Sequence, residues 1–230
     1  MKIKKEHYGT TSEGEEVTLY ILTNSKGISL EIITYGGIIT KLFFPDNRGI
    51  LGNIVLGYDN LKDYEDNQPF FGAIIGRYAN RIKDASFKID NVKVNIDKNN
   101  GNNHLHGGYS GFHKKVWKAK SIKRKDSLSL ILNYYSKDLE AGFPGNLQTT
   151  VHYTLNNNNE LEIKYFAKTD KKTIVNFTNH SYFNLGSSLN KDIFNHELLL
   201  KANKYLEVTN DWIPTGRLLN VKGTKYDFLN

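Results

Sequence analysis

The sequence predicts an all-β protein, an antiparallel sandwich or barrel, and three observations carry that expectation. Apolar and β-branched residues alternate with polar ones at period two in run after run. The runs are short and separated by turns rich in Asn, Gly and Asp, while helical periodicity is scarce. Short alternating strands joined by polar turns bury one face of each sheet, the pattern of sandwiches and barrels.

The elements follow in chain order. Val17 to Leu22 and Ile28 to Ile33 flank Asn24-Ser25-Lys26-Gly27 and read as a hairpin. Tyr58 to Asp66 has room for one helical turn or two. Phe87-Lys88-Ile89 and Val92 to Ile96 alternate around Asp90-Asn91, a second tight hairpin. Ser127 to Tyr135 reads as a strand. Leu147 to Leu155 alternates, breaks at the asparagine run Asn156 to Asn159, and resumes over Leu161 to Tyr165 as a third hairpin. Glu197 to Ala202 is expected to add a further short strand. The chain is long enough to bury one sizeable core. It shows no linker, composition shift or repeat, so a single domain over residues 1–230 is expected.

Composition narrows the function. There are no cysteines, hence no disulfide framework and no thiolate metal site. The charged start Met1 to His7 is followed by no apolar stretch of a signal peptide, and no window approaches the ~18 apolar residues of a membrane span. A cytoplasmic protein without membrane contact is the expectation. The net charge of +7 comes mainly from dispersed lysines, with arginine only at Arg48, Arg77, Arg81, Arg124 and Arg217. The one dense basic run, Lys118 to Lys125, has no interleaved aromatics. A solvated lysine-rich surface therefore explains the charge better than nucleic-acid binding.

Four segments carry residues that a sheet core does not need. In Gly76-Arg77-Tyr78-Ala79-Asn80-Arg81-Ile82, the two guanidiniums could clamp an oxygen-rich ligand or pair with Asp59 or Asp84. In His104-Leu105-His106-Gly107-Gly108, an extended backbone would put both imidazoles on one face, where they could suit a metal. No third ligand lies nearby, so no metal is expected. Asn176 to Gly186 sets His180 among amides, hydroxyls and aromatics. That mixture suits a carbohydrate site, with an imidazole exchanging protons near neutrality, and suits a structural histidine at a strand end equally well. Glu140 to Asn146 lines a mouth or only connects strands, and Ile213-Pro214-Thr215-Gly216 reads as a punctuating turn. His7, His113, His152 and His196 are read as structural.

Taken together the segments resemble the aldose 1-epimerase (galactose mutarotase) family. The landmarks are Gly57-Tyr58-Asp59-Asn60-Leu61 with Tyr64, and Phe71-Gly72-Ala73 running into Gly76 to Ile82. After them come Leu105-His106-Gly107-Gly108, Gly142-Phe143-Pro144-Gly145, Thr178 to Leu185, Ile213 to Gly216 and Tyr226-Asp227-Phe228. The resemblance implies the large antiparallel sandwich of that family, a galactose mutarotase-like supersandwich with the sugar on its concave face. It implies that His180 is the general acid toward the ring oxygen and that His106 contacts the sugar near the same atom. Asn80 and Arg81 would bind hydroxyls, with Ser181 and Tyr182 beside the acid. The substrate would be a free hexose such as galactose or glucose, with no cofactor, acted on by a monomer or homodimer. A neighbouring possibility is a hexose 6-phosphate, which these segments fit less well. The family pattern continues past the Tyr-Asp-Phe landmark with a sugar-binding aspartate and a glutamate general base, and this sequence stops at Asn230. The expectation is thus a sandwich incomplete at its C-terminus, lacking its base, with marginal stability and little or no mutarotase activity in isolation. A catalytically silent sugar-binding protein on the same scaffold is the alternative.

Overall fold

The computed structural model describes residues 1–66, 69–186 and 192–229. A five-stranded antiparallel sheet comes first: β1 (Lys2–Thr10), β2 (Glu16–Thr23), β3 (Ser29–Ile33), β4 (Ile39–Pro45) and β5 (Leu51–Asn53), paired in sequence order. A one-turn helix α1 (Leu61–Glu65) follows, its first turn capped by the Asn60 side chain, which accepts from the Asp63 N–H. Four short strands come next: β6 (Ile74–Ile75), β7 (Arg81–Ile82) and the hairpin β8 (Ser86–Ile89) with β9 (Val92–Asn95). After β10 (His104–Leu105), a four-stranded antiparallel sheet is built from β11 (Lys118–Lys123), β12 (Ser127–Ser136), β13 (Leu147–Asn156) and β14 (Leu161–Thr169). The chain continues through β15 (Thr178–Asn179) to a hairpin of β16 (Lys204–Val208) and β17 (Pro214–Asn220).

The two larger sheets face each other across one apolar layer. Tyr20, Leu22, Leu30 and Ile32 from the first meet Leu128, Leu130, Leu132, Val151 and Leu155 from the second, with Phe112 and Trp117 filling the layer. Each such side chain stabilises the fold by roughly 1.5–3 kcal/mol relative to exposure. The other face of β2 and β3 is also covered. Val17, Leu19 and Ile33 pack with Leu61 and Tyr64 of the helix and with Ala73, Ile75 and Ala79. This second layer holds residues 70–82 against the sandwich.

The period-two reading is correct for β2, β3, β8, β9, β12, β13 and β14. Two expectations need correction. Glu197 to Ala202 is not a strand; Leu198, Leu199 and Leu200 are exposed, and the strand that forms is Lys204–Val208. A strand needs a partner edge, and β17 offers one to residues 204–208. Ile213 to Gly216 is not only a turn, since Pro214 opens β17. The basic run at 118 is strand β11, its lysines alternating outward while Ala119 packs toward the core. The asparagine run after β13 also does more than turn the chain. Asn157 Oδ1 accepts from the Ser25 N–H and hydroxyl, and Asn24 Nδ2 donates to the Asn156 carbonyl at 2.9 Å. These bonds tie the hairpin ends of the two sheets together. No helix among the described residues is long and apolar enough to cross a membrane.

Candidate functional site

Three backbone segments meet beside the sandwich. β15 pairs antiparallel with β6, and the ladder runs on, His180 donating its N–H to the Ala73 carbonyl and accepting from the Gly72 N–H. The Asn179 amide donates to the Gly72 carbonyl at 2.9 Å, closing this corner. β7 pairs with β10, and the His106 N–H reaches the Asn80 carbonyl at 3.1 Å. Asn176 joins the two ladders. It accepts from the Ala79 N–H through its carbonyl and donates to the Ala79 carbonyl through its amide. The result is an open concavity of 590 Å³ lined by Asn80, His106, Asn176, His180, Ser181 and Tyr182 among others.

The two imidazoles are crossed, ring centroids 5.2 Å apart at 87°. The Tyr182 ring lies 5.2 Å from His180, offering a flat face at the rim. His106 is fixed in one tautomer: its Nδ1 accepts from the Asn80 backbone N–H at 2.9 Å, so the proton of the neutral ring sits on Nε2. Burial pushes the His106 pKa down to about 4, helped by His180, Arg81 and His104. Burial also lowers that of His180, while a hydrogen bond to its own backbone acts the other way. Both rings are therefore neutral near pH 7, each with one N–H to donate in a hydrogen bond and one ring nitrogen able to take up a proton. The Ser181 hydroxyl is buried without a protein partner.

Five of the six residues singled out from the sequence share this lining. Arg81 does not. Its Nε donates to Asn100 Oδ1 at 3.0 Å and its Nη1 to Asn80 Oδ1 at 3.3 Å. It faces a neighbouring groove of 940 Å³ that also carries Lys83, Asp84, Asn102, Trp212 and Thr215. That groove is larger but has no imidazole in its lining. Both imidazoles belong to the smaller concavity, which Arg81 reaches through Asn80 and its field on His106.

Arg77 has a different role from Arg81. It is buried, and its guanidinium donates to Ser136 Oγ at 2.8 Å and to the carbonyls of Ser136, Lys137 and Pro144 at 3.0, 2.8 and 3.1 Å. Five donors in a planar fork satisfy carbonyls of the turn after β12, so this arginine staples that turn and binds no ligand. The turn 140–146 is accordingly a connector. The His104–His106 pair also separates. His106 has φ of +53°, which breaks the extended geometry that would align the rings. His104 turns inward against Phe143, its Nδ1 2.9 Å from the Asp97 carbonyl. Among the described residues no group of three His, Asp or Glu side chains could hold a metal. Two residues at the site escaped sequence reading. Asn176 acts through its backbone carbonyl and side-chain amide on Ala79, a pairing between residues 97 positions apart, and Phe70 lies far along the chain from the histidines it touches.

The antiparallel sandwich of this chain has counterparts among solved structures. A crystal structure of galactose 1-epimerase from Lactobacillus acidophilus superposes with a TM-score of 0.87 at 28% identity, over 100% of this chain and 66% of that one. The family model for aldose 1-epimerase matches residues 18–230, and the chain belongs to that family. It is 40% identical over 203 residues to galactose mutarotase from Bos taurus, covering 88% of this chain and 58% of the relative. To aldose 1-epimerase from Escherichia coli it is 37% identical over 216 residues, covering 94% of this chain and 61% of the relative. The chain thus spans about three fifths of the length of these curated relatives.

Proposed function

We propose that this chain forms the histidine-bearing part of an aldose 1-epimerase site, which binds a free hexose and opens its ring. The crossed His106–His180 pair in an amide-lined hollow carries the reading. Galactose is the first substrate to test, with glucose next, since the relatives are named galactose mutarotase and aldose 1-epimerase. Strands β1 to β17 act as one domain in this reading, and the protein works as a monomer or homodimer.

Ring opening moves two protons. The anomeric hydroxyl gives one to a base, the ring oxygen receives one from an acid, and the C1–O5 bond breaks to leave a free aldehyde. Rotation about C1–C2 and the reverse steps give the other anomer. His180 is the acid in this scheme, acting from its imidazolium form, which the lowered pKa makes a minority species near pH 7 but a ready proton donor. The Nε2–H of His106 donates to a sugar oxygen, the exposed Asn80 amide reads a further hydroxyl, Ser181 forms the wall beside the acid, and Tyr182 packs on sugar C–H. Arg81 acts at the rim by steadying Asn80. No step requires a cofactor or metal.

No carboxylate is among the described residues that line the hollow. The base for the anomeric hydroxyl must therefore come from elsewhere, and this deficiency can be probed. Polarimetry of freshly dissolved α-galactose and α-glucose is the test. The chain should accelerate mutarotation modestly, and added formate or acetate should raise the rate further by serving as base. His180→Ala should remove the protein-dependent part and return the rate to that of the uncatalysed sugar. Calorimetric galactose binding without turnover, even with formate, would favour the silent sugar-binding alternative; neither binding nor turnover would overturn both.

A further inference from the structure

Against the two imidazoles sits a residue that the proposed chemistry does not use. The Phe70 ring packs 4.9 Å from His106, 4.9 Å from His113 and 5.7 Å from His180, centroid to centroid. It is not among the residues that line the hollow, and its contacts to both histidines are ring to ring. We propose that Phe70 is a positioning residue for the His106–His180 pair: wedged against His113, its ring sets the crossing of the two imidazoles and the aim of their ring nitrogens into the hollow. The geometric claim stands on the contacts alone; its consequence for turnover rests on the reading of this site as an epimerase site.

The wedge is held from three sides. His113 is buried, and a Cβ placed at Gly111 would lie 2.9 Å from its ring, so that ring has no room to retreat. Phe70 itself has φ of +61°, a conformation that costs a bulky L-residue energy and persists only when its surroundings impose it. The next residues impose it. Phe71 sends its ring to Tyr182 and Tyr58, both 5.2–5.3 Å away, so consecutive rings buttress opposite ends of the site. Gly72, with φ of +67°, is bonded to the His180 carbonyl and to the Ile39 N–H, and a Cβ there would meet the Ile39 carbonyl oxygen at 2.1 Å. Phe70 thus hangs from a backbone corner that cannot shift without moving His180.

The electrostatics agree with this placement. Burial is the leading cause of the depressed pKa of His106, His113 and His180 alike, and an apolar ring shared by all three excludes water from each. The charged or titratable groups acting on His106 are His180, Arg81 and His104, and those acting on His113 are Lys114, Lys115, His106 and His180.

Proton NMR of the imidazole and phenyl rings tests the proposal, beside kinetics. In the unaltered chain, Phe70 ring protons should show nuclear Overhauser contacts to the ring protons of His106, His113 and His180. Absence of the contacts to His106 and His180 would overturn the proposal without any variant. In Phe70→Leu, the titration midpoints of His106 and His180 should rise toward that of a free imidazole. There kcat for mutarotation should fall by about 10–100-fold, the scale of an ångström-level misplacement, with KM changing far less. Phe70→Tyr keeps a flat ring and should preserve both midpoints and kcat. Unchanged midpoints in a folded Phe70→Leu, or a Phe70→Tyr as impaired as the leucine variant, would sink the wedge. Should Phe70→Leu fail to fold, the contacts and the tyrosine variant decide. Should the unaltered chain turn over no hexose, the epimerase reading fails and the contacts and titrations still judge Phe70.

Discussion

The two sheets of the sandwich and the segment 192–229 are made of similar residues and meet opposite fates. Leu22, Leu30, Leu130, Leu132 and Val151 are wholly buried, whereas Phe194 is 88% exposed, Leu199 60% and Leu218 61%. Each sheet of the sandwich supplies the cover for the other, so alternation along β2 or β12 translates directly into burial. Among the described residues the hairpin of β16 and β17 has only its own two strands, and a two-stranded ribbon cannot hide an apolar face. The lesson is that alternation supplies the apolar side chains, and only an opposing layer turns them into stability.

That contrast can be broken or sharpened by experiment. The largest effect is expected at Arg77, which staples the turn after β12. Arg77→Ala leaves the carbonyls of Ser136, Lys137 and Pro144 unpaired inside the protein and should cost about 4 kcal/mol or more in urea unfolding. Leu130→Ala, in the layer between the sheets, should cost about 2–5 kcal/mol in the same measurement.

Acidification should act selectively on the buried region. His106 and His113 have pKa values lowered from 6.5 to about 4 and about 3, so between these values the unfolded chain binds more protons than the folded one. Stability then rises with pH across the window, is fully present above pH 6.5, and is lost as pH falls. The slope reaches about 1.4 kcal/mol per pH unit for each group. Urea midpoints at neutral pH and in mild acid check this, and His113→Leu should flatten the slope. The smallest effect is expected at Leu199→Ala, within about 0.5 kcal/mol. A Leu199 variant as damaging as Leu130→Ala would mean that the segment packs in solution as tightly as the sandwich, and the contrast would be lost.

How much of this was legible depends on what each residue leans on. The hairpins of β2–β3, β8–β9 and β13–β14 could be read because alternation and turn residues are local signals. Strand β11 hid behind lysines that merely face solvent, and Leu198 to Leu200 looked like a strand because apolarity is visible in sequence while a missing partner edge is not. Asn80, His106, His180, Ser181 and Tyr182 were found through a family resemblance and do line one hollow, whereas Arg81 lies beside it.

By itself the sequence determined the strand periodicity, the turns and the histidine-bearing segments, since these are written over distances of a few residues. Only the tertiary structure decided that Arg77 is a buried staple while Arg81, four residues on, faces an open groove. It alone turned His104 inward and His106 toward His180, and placed Phe70 against both imidazoles of the hollow. The physical reason is that the role of a charged or aromatic side chain is set by the groups that surround it, and those come from parts of the chain dozens of residues away.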